Sequence, residues 1–403
     1  MGINKSVVRL ATAQALAGAN STVVFATGAI IGNSLAPSAS LATVPISVFV
    51  VGMALGTLPS GMLVRRYGRK ASFMAGNASG CLMGLLAALA LFLGSFPLFC
   101  LAMLFGGAYA SVVQSFRFAA TECVGPADKP KAMSYVLAGG VLAGVVGARL
   151  INVTMNAWAP YAYAVTYLGA AAVAVLSAVV LRGVRFERQP DRPEDGGRPA
   201  REVLRQPQLL VAMFCGVVTY MMMNFLMTSA PLAMELCGIA RIHANHGIEM
   251  HVIAMYAPSF FTGRLIARFG GAAMVMTGLV LTALSAVAAM SGITVQHFWL
   301  CLVLLGVGWN FGYLGASAMV LKCHTQAEGP RVQSINDFVV FGTMAVGSFL
   351  SGSLLNAFGW GSVSALVLAP LCAAAASLVW LHRSSRFSPS TAQESSEGSE
   401  SAG

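Results

Sequence analysis

The sequence predicts an all-α membrane protein of twelve transmembrane helices in two six-helix bundles, and three observations predict it. Of the 403 residues, 57% are hydrophobic and only 9% charged, against about 25% charged in an ordinary soluble domain. At roughly 20 apolar residues per bilayer crossing, the apolar runs fill a dozen helices and leave almost nothing for an extramembrane domain. All of the 24 basic residues except Arg117, Arg149 and Arg241 fall in alternate connections between those runs or near the chain ends. A soluble protein is thereby excluded, and the net charge of +10 reads as membrane topology rather than nucleic-acid binding.

Taken in order, the first six spans lie near 9–32, 41–64, 71–94, 96–120, 132–156 and 160–181. The other six lie near 208–231, 247–267, 271–292, 296–320, 333–357 and 360–382. Lys5 and Arg9 open the chain. Arg65, Arg66, Arg69 and Lys70 part the second span from the third, and Lys129 and Lys131 the fourth from the fifth. Arginines from Arg182 to Arg205 part the sixth from the seventh, Arg264 and Arg268 the eighth from the ninth, and Lys322 and Arg331 the tenth from the eleventh. Arg383 and Arg386 follow the last span. The positive-inside rule makes these connections and both termini cytoplasmic, as expected of a multi-pass protein of the cell inner membrane.

Pro190, Pro193, Gly196, Gly197 and Pro199 make the longest charged break a flexible linker. The expected division is residues 1–181 for the N-terminal bundle, 182–207 for the cytoplasmic linker and 208–382 for the C-terminal bundle. Residues 383–403, with Glu394, Glu397 and Glu400 among serines, are too polar to pack and form a disordered cytoplasmic tail. The eight cysteines lack C-x-x-C spacing, so neither a disulfide nor a zinc framework is expected.

The two halves share a signature. Gly61-x-Leu63-x-x-Arg66-x-Gly68 recurs as Gly263-x-Leu265-x-x-Arg268-x-Gly270. Each copy falls between the second and third helix of its half, where a parallel repeat would put it. The run from Gly61 to Lys70 resembles the helix 2–3 signature G-x-L-a-D-r-x-G-r-k of the major facilitator superfamily, and the resemblance extends over residues 9–382. The family's acidic residue is Arg65 here, and Ala267 in the second copy. In the family that carboxylate latches the two halves on the cytoplasmic side, so the latch is in question. Longer strings, among them Gln114 to Ala120 and His251 to Gly263, resemble a bacterial subgroup that includes riboflavin uptake transporters.

The resemblance implies that the first, fourth, seventh and tenth helices line a central cavity and that transport proceeds by alternating access. Intramembrane polar groups are costly and face protein or water, which directs attention to the same helices. On the tenth helix Trp309 and Tyr313 share a face with Asn310 beside them, and on the seventh Tyr220 and Asn224 are one turn apart. These residues suit a flat, hydrogen-bonding ligand; the alternative is an aromatic stripe packed between helices. Arg149, about 25 Å along the fifth helix, needs a partner, cavity water or substrate. The expected substrate residues are therefore Arg149, Tyr220, Asn224, Trp309, Asn310 and Tyr313. Gly61, Arg65, Arg66, Gly68, Arg69 and Lys70 are the expected gating group, joined by Arg117, which lies five residues before Glu122. Glu249, His251 and Asp337 are the candidates for ion coupling.

His243, His246, Glu249 and His251 offer only the weak H-x-x-H spacing of His243 and His246, in a loop and without a thiolate, so no metal site is expected. Gly140-x-x-x-Gly144-x-x-Gly147 echoes the family's antiporter motif without its proline, Val145 standing instead. No span carries paired histidines or a C-x-x-C-H haem attachment, and no phosphate-binding G-x-x-x-x-G-K-[ST] loop exists. An enzyme, a cofactor and a primary pump are not expected. The partners expected are a small-molecule solute and the bilayer, with no nucleic acid, for a chain acting as a monomer. Uptake of riboflavin or a similar flat metabolite competes with efflux of drugs or metabolites.

Overall fold

A computed structural model describes residues 4–38, 41–186 and 197–387, and every described element is helical. The first half holds α1 (Lys5–Leu35), α2 (Val44–Leu93), α3 (Phe96–Thr121), α4 (Lys129–Thr154) and α5 (Ala164–Arg182). After the short α6 (Ala200–Leu204) come α7 (Pro207–Leu236), α8 (Arg241–Tyr256), α9 (Ser259–Phe269), α10 (Gly271–Met290), α11 (Val295–Val320), α12 (Gly329–Leu366) and α13 (Leu368–Phe387). Proline in the first turn of α2, α3, α4, α7 and α12 starts each helix where a missing N–H costs nothing.

Nine of the described stretches are long and apolar enough to cross a membrane, and backbone breaks account for the remaining spans. The 50 residues of α2 would extend about 75 Å as one rod, far beyond a hydrocarbon core of about 30 Å. Gly68, at φ 82° and ψ 172°, breaks it in a region that only glycine enters freely. The Ser60 and Ser72 hydroxyls, twelve residues apart, lie 2.8 Å from each other, whereas a straight helix would part them by about 18 Å. The chain therefore doubles back at Gly68, making the second and third spans. Gly270, at φ 85° and ψ 162°, makes the equivalent break between α9 and α10. Gly359, at φ 74° and ψ 170°, breaks α12 into two spans, the second completed by α13. Pro258 separates α8 from α9, which together supply one interrupted span.

The helices pack as two bundles, α1 to α5 and α7 to α13, that meet through α2 on α12 and through α4 on α8 and α9. Small residues make this possible: a Cβ at Gly61 would overlap Ser334 of α12, and one at Gly263 would come 2.6 Å from the Pro130 carbonyl of α4. The first glycine of each repeated signature is therefore the point where one bundle touches the other. The linker residues Arg188, Pro190, Arg192, Pro193 and Gly196, and the expected disordered tail beyond residue 387, lie outside the described residues.

Candidate functional site

Tyr220 of α7 is the hub of a buried aromatic group. Its ring stands edge-on to Trp309 (5.5 Å between centroids), Tyr313 (5.0 Å) and Phe341 (5.6 Å). Trp309 and Tyr313, one turn apart on α11, stack at 5.1 Å with 21° between planes, and Tyr256 of α8 closes edge-on to Trp309 at 5.7 Å. Of the residues expected on α7 and α11, the structure brings Tyr220, Trp309 and Tyr313 together, buried against one another. Three side-chain donors here have no hydrogen-bond partner among the described residues: Trp309 Nε1, Tyr313 OH and, one turn beyond Tyr220, Asn224 Nδ2. A buried unpaired donor costs about 1–3 kcal/mol.

Two expected members do not belong to this group. Both Asn310 donors are used: its Nδ2 donates to the Met255 carbonyl and Ser259 Oγ, both at 2.6 Å, and its Oδ1 accepts from Thr262 Oγ1 at 2.7 Å. Asn310 stitches α11 to the break at Pro258, where helix carbonyls and hydroxyls need partners, and, fully buried, has no donor left for a ligand. Arg149 lies on α4 in one exposed stripe with Leu142, Val145 and Val153. The opposite face, with Gly140 under Tyr256 and Gly144 near Val252, meets α8. Position along the helix made Arg149 look costly, but its direction is outward, near the helix end, where a long side chain snorkels.

Beneath the aromatic group lies a buried ion pair joining the halves. Arg117 Nη2 of α3 donates to Asp337 Oδ1 of α12 at 2.6 Å, with side chains 0% and 5% exposed. Arg117 Nε reaches Ser317 Oγ of α11 at 3.3 Å, and its guanidinium carbon sits 4.7 Å from the Tyr313 ring centre. Asn336 Nδ2 donates to the same Asp337 oxygen at 2.9 Å. Counted from Val320, Tyr313 is about 10 Å deep, so the floor of the aromatic group and the ion pair form successive layers. Arg117 thus pairs across the halves and not with Glu122 nearby in sequence.

Arg69 takes Glu122. Its Nη2 donates to Glu122 Oε1 and to Gln333 Oε1 of α12, each at 2.7 Å. Ser134 Oγ of α4 completes the contact by donating to the Ser259 carbonyl and accepting from the Gly263 N–H. These side-chain links between the halves lie toward the end that carries the basic connections. Arg65, the departure from the family signature, is exposed, as are Arg66 and Lys70. With no carboxylate at position 65, the contact across the halves here is made by Arg69, which holds Glu122 and reaches Gln333. Pro130-x-x-x-Ser134 and Pro330-x-x-x-Ser334 form a second internal repeat, a weak signal in sequence because uncharged helix starts look alike.

Among the coupling candidates, only Asp337 faces the other half. His251 is buried with Nδ1 2.7 Å from the Leu302 carbonyl, while Glu249 is exposed. At the membrane border, Arg198 clamps the linker to the α11–α12 connection through Nε and Nη2, donating to Glu328 Oε1 at 2.9 Å and Oε2 at 3.0 Å. That pair, with the N–H groups of Thr325 and Arg198, overcomes burial and holds the Glu328 carboxyl down at about 2.

Two helical bundles latched at one end beneath an aromatic group with unpaired donors have the organisation of a membrane transporter for a small solute. The family model described as Major Facilitator Superfamily matches residues 10–248 and 248–401, and the chain belongs to that superfamily. It is 43% identical to riboflavin transporter RfnT of Brucella anthropi, over 91% of this chain and 95% of that protein. An uncharacterized MFS-type transporter, YddS, of Bacillus subtilis is 27% identical over 94% of this chain and 91% of its own. The E. coli fucose:proton symporter FucP superposes with a TM-score of 0.72 at 14% identity, covering 94% of this chain and 98% of that one. This last likeness speaks to fold alone.

Proposed function

We propose that this transporter takes up riboflavin, or a metabolite with a similarly flat polar ring system, across the inner membrane by alternating access. Residues 1–181 and 208–382 would be the moving bundles, with both termini cytoplasmic. The observation that carries the reading is the buried group of Tyr220, Trp309 and Tyr313, where Trp309 Nε1, Tyr313 OH and, one turn along α7, Asn224 Nδ2 are unpaired among the described residues, in a chain with whole-length likeness to a riboflavin transporter. An isoalloxazine ring offers a face for stacking and carbonyl and ring-nitrogen acceptors for Trp309 Nε1, Tyr313 OH and Asn224 Nδ2. The ligand enters from the end opposite the latch, and the described arrangement corresponds to a cytoplasm-closed state.

Asp337 supplies the coupling. A proton on its carboxylate removes the charge that holds Arg117, the cross-half ion pair, and frees the latched end to open. Facing it are Arg117 and Asn336 within hydrogen-bond reach, with Tyr313, Tyr220 and Arg69 around them. Once exposed to the cytoplasm, Asp337 gives the proton up and the pair reforms. Expression of the chain in a riboflavin-auxotrophic host should restore accumulation of labelled riboflavin from low external concentration. Correctly inserted protein that accumulates none overturns the cargo.

A further inference from the structure

An apolar groove runs on the outer side of the first bundle, between the two arms of α2 and α3. Its volume is about 300 Å³. Gly52, Gly56 and Leu63 of the first arm, Ala75 of the second and Ala108 of α3 are among its walls; Gly52 and Gly56 pack directly on Leu104 and Ala108 of α3, and the small side chains around that contact leave the space unfilled. From Gly52 to Leu63 it extends about 16 Å along the helix, toward the basic end. Leu55 and Met62 beside it are 56% and 60% exposed.

One turn beyond Leu63, on the same face as Leu55 and Met62, stands Arg66. It is exposed, its guanidinium carbon lies 5.3 Å from the Tyr67 ring centre, and it has no hydrogen bond or ion pair among the described residues. Arg65 and Lys70 beside it are exposed as well. An uncompensated guanidinium at the membrane border, aligned with an apolar groove, complements one chemistry: an acyl chain joined to an anionic phosphodiester.

We propose that the groove between the arms of α2 and α3 is a binding site for an anionic glycerophospholipid, with an acyl chain beside Ala75 and the phosphate on Arg66. Arg66 lies two residues before the Gly68 break and three before Arg69, which holds Gln333 of the other half. The bound lipid therefore steadies the turn that carries the latch and favours the latched state. This does not depend on the cargo.

Purified full-length protein is titrated with phosphatidylglycerol and with phosphatidylcholine of matched chains, and retained lipid is counted by native mass spectrometry. The parent should prefer phosphatidylglycerol. Arg66→Ala should lower that preference about fivefold, the equivalent of about 1 kcal/mol for one basic residue at an anionic surface, and Arg66→Lys should keep most of it. Ala75→Leu should reduce retention of both lipids by filling the groove. Arg201→Ala, an exposed basic residue elsewhere, should leave the preference intact. Equal retention of the two lipids by the parent, an unchanged Arg66→Ala, an Ala75→Leu that keeps both lipids, or an equal loss in Arg201→Ala would overturn the site.

Discussion

At the scale of single residues, Asn310 and Trp309 are sequence neighbours with opposite duties, and substitution separates them. Trp309→Ala removes a stacking partner, worth roughly 0.5–1.5 kcal/mol beyond area, together with its buried surface. Riboflavin affinity should fall about tenfold or more, as read by equilibrium binding to purified protein. Asn310→Ala leaves the Met255 carbonyl and the Ser259 hydroxyl short of a partner. It should lower the melting temperature while the affinity of the folded fraction stays near that of the parent. Arg149→Ala should change neither. Unchanged binding in Trp309→Ala would move the site elsewhere. Arg117→Ala strands Asp337 in the interior at a cost of about 3–5 kcal/mol, so a cysteine introduced at Ser317, beside Arg117, should become reactive from the cytoplasmic side. Exchanging Arg117 and Asp337 should restore part of the protection; no restoration would mean that the pair's location, not its charge, closes the end.

At the scale of elements, the glycines of the repeated signature divide the work. Gly61 and Gly263 are contact points between bundles, whereas Gly68 and Gly270 are turning points with open space around the missing Cβ. Gly61→Val should wedge α2 from α12 and slow transport, with equilibrium binding from the outer side nearly kept. Wild-type exchange rates in that variant would count against the latch. The clamp of Glu328 on Arg198 joins the linker to the start of α12. Its carboxyl is lowered from 4.5 to about 2, so the clamp contributes fully above the ordinary carboxylate range and is lost as pH falls from about 4.5 through 2. The stability gap between parent and Glu328→Gln should be widest near neutrality and close over that interval in a denaturation series. A gap independent of pH would assign Glu328 a packing role only.

For the whole molecule, the proposed orientation makes a direct prediction. A cysteine placed at Ser38, exposed between α1 and α2, should react with an impermeant reagent added outside, and one at Arg201, on α6, should not. The reverse pattern would invert the topology and turn the closed end outward. Uptake should also rise with an inward proton gradient in the parent and lose that dependence in Asp337→Asn, as read in vesicles with an imposed pH difference. Gradient-driven uptake that persists in the variant would remove Asp337 from coupling.

The sequence by itself determined the helical class, the position of the spans, the repeat and the family, because hydrophobic run length and basic connections act locally along the chain. It also singled out Tyr220, Trp309, Tyr313, Arg117 and Asp337, since aromatic and charged groups inside a span stand out against apolar surroundings. Only the tertiary structure decided their use. Direction around a helix, invisible in a list of positions, turned Arg149 outward to an exposed stripe and Asn310 toward Pro258. Distance across the bundles joined Arg117 to Asp337, 220 residues away, and gave Glu122 to Arg69. A charge inside a membrane must find its partner, but which partner is settled by where the helices cross.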